Sequence, residues 1–451
     1  VSVELLACGH VALPGVSRIC RHLLQAEGLD HVRLLTGRGL DSDLCCRDCD
    51  RAAQVGQPVE LLVVCEGCVT RCTDDDWSGA VAWRGAPGVT ERPEPFDPAI
   101  VSSPLPVPVN DIVPVNGQEG SVWLLLADDG AIGRFDADHA TYEVLARCTV
   151  PDEPDSQPWA GHRLRRRLHG SADGRYAAVV NDFGRYGQVL DLVTGVVTAE
   201  LHGGSYHHET VPFSAAFVEH RGRTLVIHRT EWNRLDISDP ATGQVLTARP
   251  QPVYQAGVEW PDHYLDYFHG TIVVSPGGRR IADDGWVWSP VGMPTVWELR
   301  AWLEDNVWES EEGASWYRLC QRAYRWNSPM CWLDDERVVV SGIGGDDDAM
   351  LDGVRIFTAA TGTEVGSFPG PTGDLFADPA RLYAAAPDGL QLWDPVTGHR
   401  TGIVQGFVPT RHHTGAGELA AVDNGDLQRW RVPSDRPQGS PARPSPRIAK
   451  K

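Results

Sequence analysis

Apolar and polar residues alternate with a period of two along most of this chain, in short runs broken by glycine turns. Gln188-Val189-Leu190 leads into Asp191-Leu192-Val193-Thr194-Gly195, and Val196-Val197 resumes the pattern beyond it. That is the signature of half-buried strands joined by a tight turn. The same turn recurs as Asp239-Pro240-Ala241-Thr242-Gly243 and Asp394-Pro395-Val396-Thr397-Gly398, with a variant at Thr358-Ala359-Ala360-Thr361-Gly362. Asp caps such a turn with its carboxylate, and Gly supplies the positive φ. A second glycine turn opens into an apolar strand at Ser171-Ala172-Asp173-Gly174 and Ser275-Pro276-Gly277-Gly278. Weaker copies start at Gly120, Gly222, Asp335, Pro379 and Gly417. The mean spacing of these seven turns matches the roughly 40–50 residues that a four-stranded propeller blade needs. The strand alternation and the density of glycine turns exclude a helical solenoid.

The turns resemble those of bacterial WD40-like β-propeller repeats, which share a Ser-Pro-Asp-Gly-type turn and an Asp-x-x-Thr-Gly turn. The resemblance covers positions 119–432, most of the chain. It implies a mainly β chain with a seven-bladed β-propeller; six or eight blades remain compatible with it. The Gly-His and Trp-Asp dipeptides of eukaryotic WD40 repeats are mostly missing, and only Leu392-Trp393-Asp394 comes close.

One stretch departs from period two. Leu299, Trp302, Leu303 and Val307 form a helical stripe, and so do Trp316, Leu319, Cys320 and Ala323. The spacing predicts a helical insertion near residues 297–326. Eight of the sixteen tryptophans lie between Trp286 and Trp332. They either cover an apolar face of the propeller or form an aromatic partner site.

Residues 77–118 are rich in Pro and Gly, as in Pro104-Leu105-Pro106-Val107-Pro108, and read as a linker. The segment from 433 to 451, with Pro, Ser and Arg, reads as a disordered basic tail. The domain reading is therefore a zinc-binding module at 1–76, the linker, a propeller over 119–432 and the tail.

Charge follows these divisions. The 451-residue chain has a net charge of −21. Residues 1–98 carry 9 Arg and 15 acids, net −6; residues 99–432 carry 26 Arg and 45 acids, net −19; the tail is +4. Such acidity disfavours nucleic acid as a partner. Of 40 basic residues, 38 are arginine, which reads as codon bias of a GC-rich genome. No apolar run is long enough to span a membrane, and Val1 to His10 has no secretory pattern, so the expected location is cytoplasmic.

The chemistry concentrates at the start. Eight of eleven cysteines lie between Cys8 and Cys72. Cys46-x-x-Cys49 and Cys65-x-x-Cys68 are separated by the stretch from Asp50 to Val64, the spacing of a four-cysteine zinc ribbon. Cys8-Gly9-His10 and Cys20-Arg21-His22 add two further pairs, each able to chelate from one face of an extended strand. Cys8, His10, Cys20, His22, Cys46, Cys49, Cys65 and Cys68 make eight candidate ligands, enough for two zinc ions. Cys45, Cys72 and His31 are possible substitutes, and the pairing is open between ribbon and cross-braced arrangements. A site closed by four protein ligands leaves no place for catalytic water, and the His-x-Glu and Pro-Cys-x-x-Cys deaminase pattern is missing. The zinc is therefore read as structural.

No catalytic elbow, phosphate loop or dinucleotide fingerprint occurs in the sequence. The expected function is a non-catalytic scaffold that binds a protein partner. The alternatives are an enzyme with its site at the propeller axis and a zinc-dependent nucleic-acid or regulatory adaptor. The basic run His162–His169 is expected to pair within the chain. Asp346-Asp347-Asp348 reads as a solvated hairpin tip, and His207-His208 and His412-His413 as solvated loop histidines.

Overall fold

A computed structural model describes residues 17–25, 31–35, 43–54, 57, 59–64, 80–83, 99–154, 162, 164–250 and 263–432. The tail from 433 to 451 lies outside the described residues, as do Cys8, His10, Cys65, Cys68 and Cys72.

The N-terminal part is a small mixed sheet. Its elements are β1 (Ser17–Cys20), α1 (Arg21–Gln25), β2 (His31–Leu35), β3 (Asp43–Cys46), α2 (Arg47–Gln54), β4 (Leu61–Val64) and β5 (Ala80–Trp83). The strand order is β4-β1-β3-β2-β5. β1 and β3 run parallel, with Ile19 opposite Leu44, and β2 and β5 run parallel. The core is only a handful of side chains, including Ile19, Leu23, Leu44 and Val64, and Cys20, Cys45, Cys46 and Cys49 form much of the rest. A core this small is marginal without a further crosslink.

Among the described residues, seven antiparallel sheets follow. The first holds Val109–Pro114, Val122–Ala127, Ala131–Asp136 and Thr141–Arg147, and the second Arg165–Gly170, Tyr176–Asp182, Tyr186–Asp191 and Val196–His202. The third has three strands, Ala215–His220, Arg223–Glu231 and Arg234–Ser238. The fourth comprises Phe268–Val274, Arg280–Val287, Val291–Glu298 and the short pieces Tyr317–Arg318 and Arg322–Ala323. Met330–Trp332, Arg337–Ile343, Leu351–Thr358 and Thr363–Pro369 form the fifth, and Asp374–Ala377, Leu382–Ala386, Gly389–Trp393 and Arg400–Gln405 the sixth. The seventh takes Arg411–His413, Glu418–Asp423 and Asp426–Arg431, and then β6 (Ile100–Pro104) from the other end of the chain. Ile100 lies opposite Trp430 and Pro104 opposite Asp426.

Each of the seven turns expected from the sequence falls between the first and second strands of one sheet, although those at Asp335 and Pro379 hold no glycine. The Thr-Gly turns sit beyond the third strand. Gly195, Gly243 and Gly398 all have φ of 70°, where a Cβ is strained. In each turn the Asp carboxylate accepts a backbone N–H two residues on, from Val193, Ala241 and Val396, at 2.8–2.9 Å.

Apolar side chains of each sheet pack against the next. Leu124 and Leu126 meet Ala177 and Val179 between the first and second sheets. Val180 and Val189 meet Phe213 and Val226 at the next seam, and Ile227 and Ile237 meet Ile281 and Trp297 at the third. The series continues through Val296 with Val338, Val339 with Leu382, and Leu390 with Leu419. It then returns to the start, where Ala420 and Leu427 of the seventh sheet pack with Trp123 and Leu125 of the first. Polar ties cross the same seams. Asp111 accepts the Leu168 N–H at 2.9 Å, Asp182 the Phe213 N–H at 3.2 Å and Asp284 the Ser328 N–H at 2.6 Å. Ser121 donates to Glu418 at 2.8 Å, from the first sheet to the seventh.

Three expectations are corrected. The linker span 77–118 contains β5, β6 and the first strand of the first sheet. Its prolines fit because Pro104 and Pro114 end their strands, where a missing N–H is tolerated. The insertion near 297–326 is helical only over α3 (Leu299–Glu304). Tyr317–Arg318 and Arg322–Ala323 are instead strand pieces paired to Val291–Glu298. Nor are His412 and His413 solvated loop residues: His413 is fully buried on a strand and bonds the Val122 carbonyl at 3.1 Å.

The outer edge of the three-stranded sheet is covered without a regular strand. Thr247 Oγ1 accepts the Ile237 N–H, and Arg249 donates to the Leu235 carbonyl and pairs with Asp236 and Glu311. Trp302 of α3 completes this corner. It is fully buried, stands edge-on to Trp297 at 5.9 Å and donates to the Val307 carbonyl at 3.2 Å. Trp302→Ala should cost about 3–5 kcal/mol, read as a lower denaturant midpoint with unchanged slope. An unchanged midpoint would show that α3 is not part of this core.

Candidate metal centre

The two parallel strands β1 and β3 each end in a cysteine and turn directly into a helix. Cys20 closes β1 and His22 sits in α1; Cys46 closes β3 and Cys49 sits in α2. Parallel pairing places both strand–helix junctions at one end of the sheet. The ligand atoms of Cys20, His22, Cys46 and Cys49 consequently lie within 4.8 Å of one another. His22 Nδ1 is 3.2 Å from Cys49 Sγ and 3.8 Å from Cys46 Sγ, and the Cys46 N–H donates to Cys20 Sγ at 3.3 Å. The three cysteines are buried and His22 is exposed.

The chemistry of this set is that of a cation site. Burial pushes the Cys49 thiol up to about 12, and the adjoining Cys46 and Cys20 sulfurs push in the same direction. Cys46 is held below the ordinary thiol value: burial opposes this, but hydrogen bonds from the Cys49 backbone and side chain outweigh it. Three crowded sulfurs cannot all ionise beside one another unless a cation shares their charge. The start of α2 at Arg47 adds N–H groups and a positive helix end beside Cys46 and Cys49. No disulfide joins the described cysteines. The four residues fit one four-coordinate ion: tetrahedral bonds of about 2.3 Å to sulfur put donors roughly 3.8 Å apart.

The sequence placed these four among eight candidates but left their pairing open. The structure joins the second Cys-x-His pair to the first Cys-x-x-Cys pair, so Cys46 and Cys49 do not need Cys65 and Cys68 to complete a set. The Cys-x-His pair also converges differently from the expected extended strand, because the chain changes from strand to helix between Cys20 and His22. Cys45 points away from the cluster residues in the strand alternation and belongs to the small core. Cys8, His10, Cys65 and Cys68 fall outside the described residues.

The basic run is tied down within the chain, as far as it is described. Arg165 and Arg167 both reach the buried Asp182, at 3.3 and 3.2 Å, and Arg166 reaches Asp152 at 2.7 Å. Arg163 lies outside the described residues. His207 and His208 flank Glu209, at 3.3 and 3.6 Å. No helix among the described residues is long and apolar enough to cross a membrane.

No protein-family model matches the chain, and no curated protein matches it. Among solved structures it is similar to a chain described as "Crystal Structure of Mitotic Checkpoint Complex". The identity is 14% and the TM-score 0.45, with 77% of this chain and 95% of that chain covered.

Proposed function

We propose that the chain is a non-catalytic protein-interaction scaffold, built from a zinc-stabilised N-terminal module and a closed seven-bladed β-propeller. The observation that carries this reading is the donor set Cys20, His22, Cys46 and Cys49. Three thiolates and one imidazole saturate a tetrahedral zinc ion, so the metal holds two strand–helix junctions together and offers no site for substrate. The propeller reading is supported by the cycle of seven apolar seams and by β6, which completes the seventh sheet from the opposite end of the folded segment. A closed ring presents loops on a rigid frame, suited to recognition of a protein partner. The reducing conditions that preserve thiolate ligands fit a cytoplasmic location.

Cys8, His10, Cys65 and Cys68 are proposed to hold a second zinc ion. In the β1–β4 pairing Leu61 lies opposite Cys20 and Val64 opposite Ser17. The chain therefore enters β1 and leaves β4 at the end away from the first site. Metal analysis of the purified full-length chain should give about two zinc per chain. Cys46→Ser should lower that by one and leave the other ion in place. Loss of both ions would mean one shared site; no zinc in the native chain would overturn the reading.

A further inference from the structure

Three aromatic side chains stand exposed in loops around the fourth sheet. Tyr206 is 49% exposed, Trp288 52% and Tyr324 67%. Trp288 sits in the turn between Val287 and Val291, and Tyr324 donates its N–H to the Pro290 carbonyl in that same turn. Tyr206 lies 6.2 Å from Trp288, centroid to centroid. Beneath them Phe268, Trp286 and Trp326 form a stack, with spacings of 4.4 and 4.7 Å, and Trp288 lies against Trp286 at 5.6 Å. Tyr206 and Trp288 are therefore held on a rigid aromatic base, and Tyr324 is tied to the Trp288 turn through its backbone. Tyr324 has φ of +56°, an unfavourable conformation for a bulky residue. Strain of this kind persists where the surroundings impose it, and it clusters at functional surfaces.

Acids outnumber bases beside Tyr324. The Ala323 N–H donates to the Gly345 carbonyl at 2.7 Å, which brings the Asp346-Asp347-Asp348 turn next to Tyr324. Arg325, next to Tyr324 in the chain, is paired with Asp347 at 2.9 Å. Asp346 caps its own turn by accepting the Asp348 N–H, so its carboxylate is fixed in place beside the exposed Asp348. Phosphates would be repelled here. Flat cations would be attracted twice, by ring faces and by carboxylates.

We propose that the Tyr206–Trp288–Tyr324 ridge, with the Asp346–Asp348 turn, docks an arginine-rich segment of a protein partner. This rests on the scaffold reading and names the chemistry of its partner. Guanidinium groups stack on the exposed rings while their N–H groups meet the aspartates.

The test uses the full-length chain and a labelled peptide of alternating Arg and Gly, followed by fluorescence anisotropy in about 0.15 M salt. Peptides with Lys or citrulline in place of Arg separate charge from planar stacking. The expected order of affinity is Arg, then Lys, then citrulline. Trp288→Ala should weaken the Arg peptide by at least about fivefold. D346N/D347N/D348N should weaken it further than E119Q/D128N/E143Q, which removes three exposed acids from the first sheet. Because Trp288 is half exposed, its variant should melt like the native chain. No binding of the Arg peptide, equal binding by Trp288→Ala, or equal loss in both triple variants overturns the proposal. If a defined partner still binds the Trp288→Ala chain, the scaffold reading survives and this ridge does not.

Discussion

Chelation of zinc from the full-length chain is expected to unfold the N-terminal module and leave the seven sheets folded. The module buries few apolar side chains, and three of its buried residues are the proposed ligands Cys20, Cys46 and Cys49. Without a cation the three sulfurs crowd together with nothing to share their charge. Structural zinc contributes on the order of 10–16 kcal/mol of apparent binding free energy near neutral pH, more than a core of this size supplies. Hydrogen exchange resolves the outcome by segment. Amides of β1, β3 and β4 should lose protection on chelation, and so should those of the Cys20→Ser chain. Amides of the buried second strands, such as Val122–Ala127 and Tyr176–Asp182, should keep theirs. Protection of β1 and β3 that survives removal of the metal would show that packing alone holds the module.

Arg322→Met is expected to be the most damaging single change at a seam between sheets. Arg322 and Asp284 are fully buried and 2.5 Å apart, and Asp284 also accepts the Ser328 N–H at 2.6 Å. The pair thus joins the fourth sheet to the start of the fifth. Removing one partner leaves a buried charge uncompensated, at about 3–5 kcal/mol. Arg322→Met with Asp284→Asn should recover much of that loss. A pH dependence follows. Burial raises the Asp284 carboxyl above its ordinary value, and Arg322 is the main group opposing the rise. Without the arginine, the folded-state value climbs further above the unfolded one. A folded acid with a raised value binds more protons than the unfolded chain, so stability falls as pH rises through that window. The variant should therefore lose more stability relative to the native chain at pH 8 than at pH 5, measured by urea denaturation. Equal losses at both would mean that Asp284 is not the group left exposed to the change.

The parts of the fold legible in the sequence are those set by local chemistry. Gly195, Gly243 and Gly398 announce their turns because positive φ excludes most side chains, and Asp191, Asp239 and Asp394 cap them through neighbours only two positions away. The turns at Gly120, Gly174, Gly222, Gly278 and Gly417 mark the first hairpin of five sheets for the same reason. What the sequence misassigned depends on distant pairing. Trp316, Leu319, Cys320 and Ala323 match a helical stripe, yet the chain there pairs with the edge of Val291–Glu298, and tertiary contact overrides spacing. Ile100–Pro104 reads as linker because its partner, Asp426–Arg431, lies at the opposite end of the folded segment.

The metal site shows the same division. Residue types and spacings singled out Cys20, His22, Cys46 and Cys49, because chelation needs paired donors close in sequence. Which pair meets which is decided by the parallel register of β1 and β3, and no local signal carries that. The ridge was legible only in part. Trp288 belongs to the tryptophan-rich stretch, but half of the tryptophans there, Trp286, Trp297, Trp302 and Trp332, are buried. Nothing in the sequence distinguishes Trp288 from these, or joins it to Tyr206.

X-ray absorption at the zinc edge of the purified full-length chain reads ligand type and number. Four-coordinate zinc is expected, with an average shell of three sulfurs at about 2.3 Å and one nitrogen at about 2.0 Å. Both proposed sites have that composition, so the shell is the same for one ion or two. In the Cys65→Ser/Cys68→Ser chain a three-sulfur, one-nitrogen zinc should remain, whereas ribbon pairing of Cys46 and Cys49 with Cys65 and Cys68 would leave only a two-sulfur, two-nitrogen zinc at Cys8, His10, Cys20 and His22. An oxygen ligand at an open position would contradict the structural, non-catalytic reading itself.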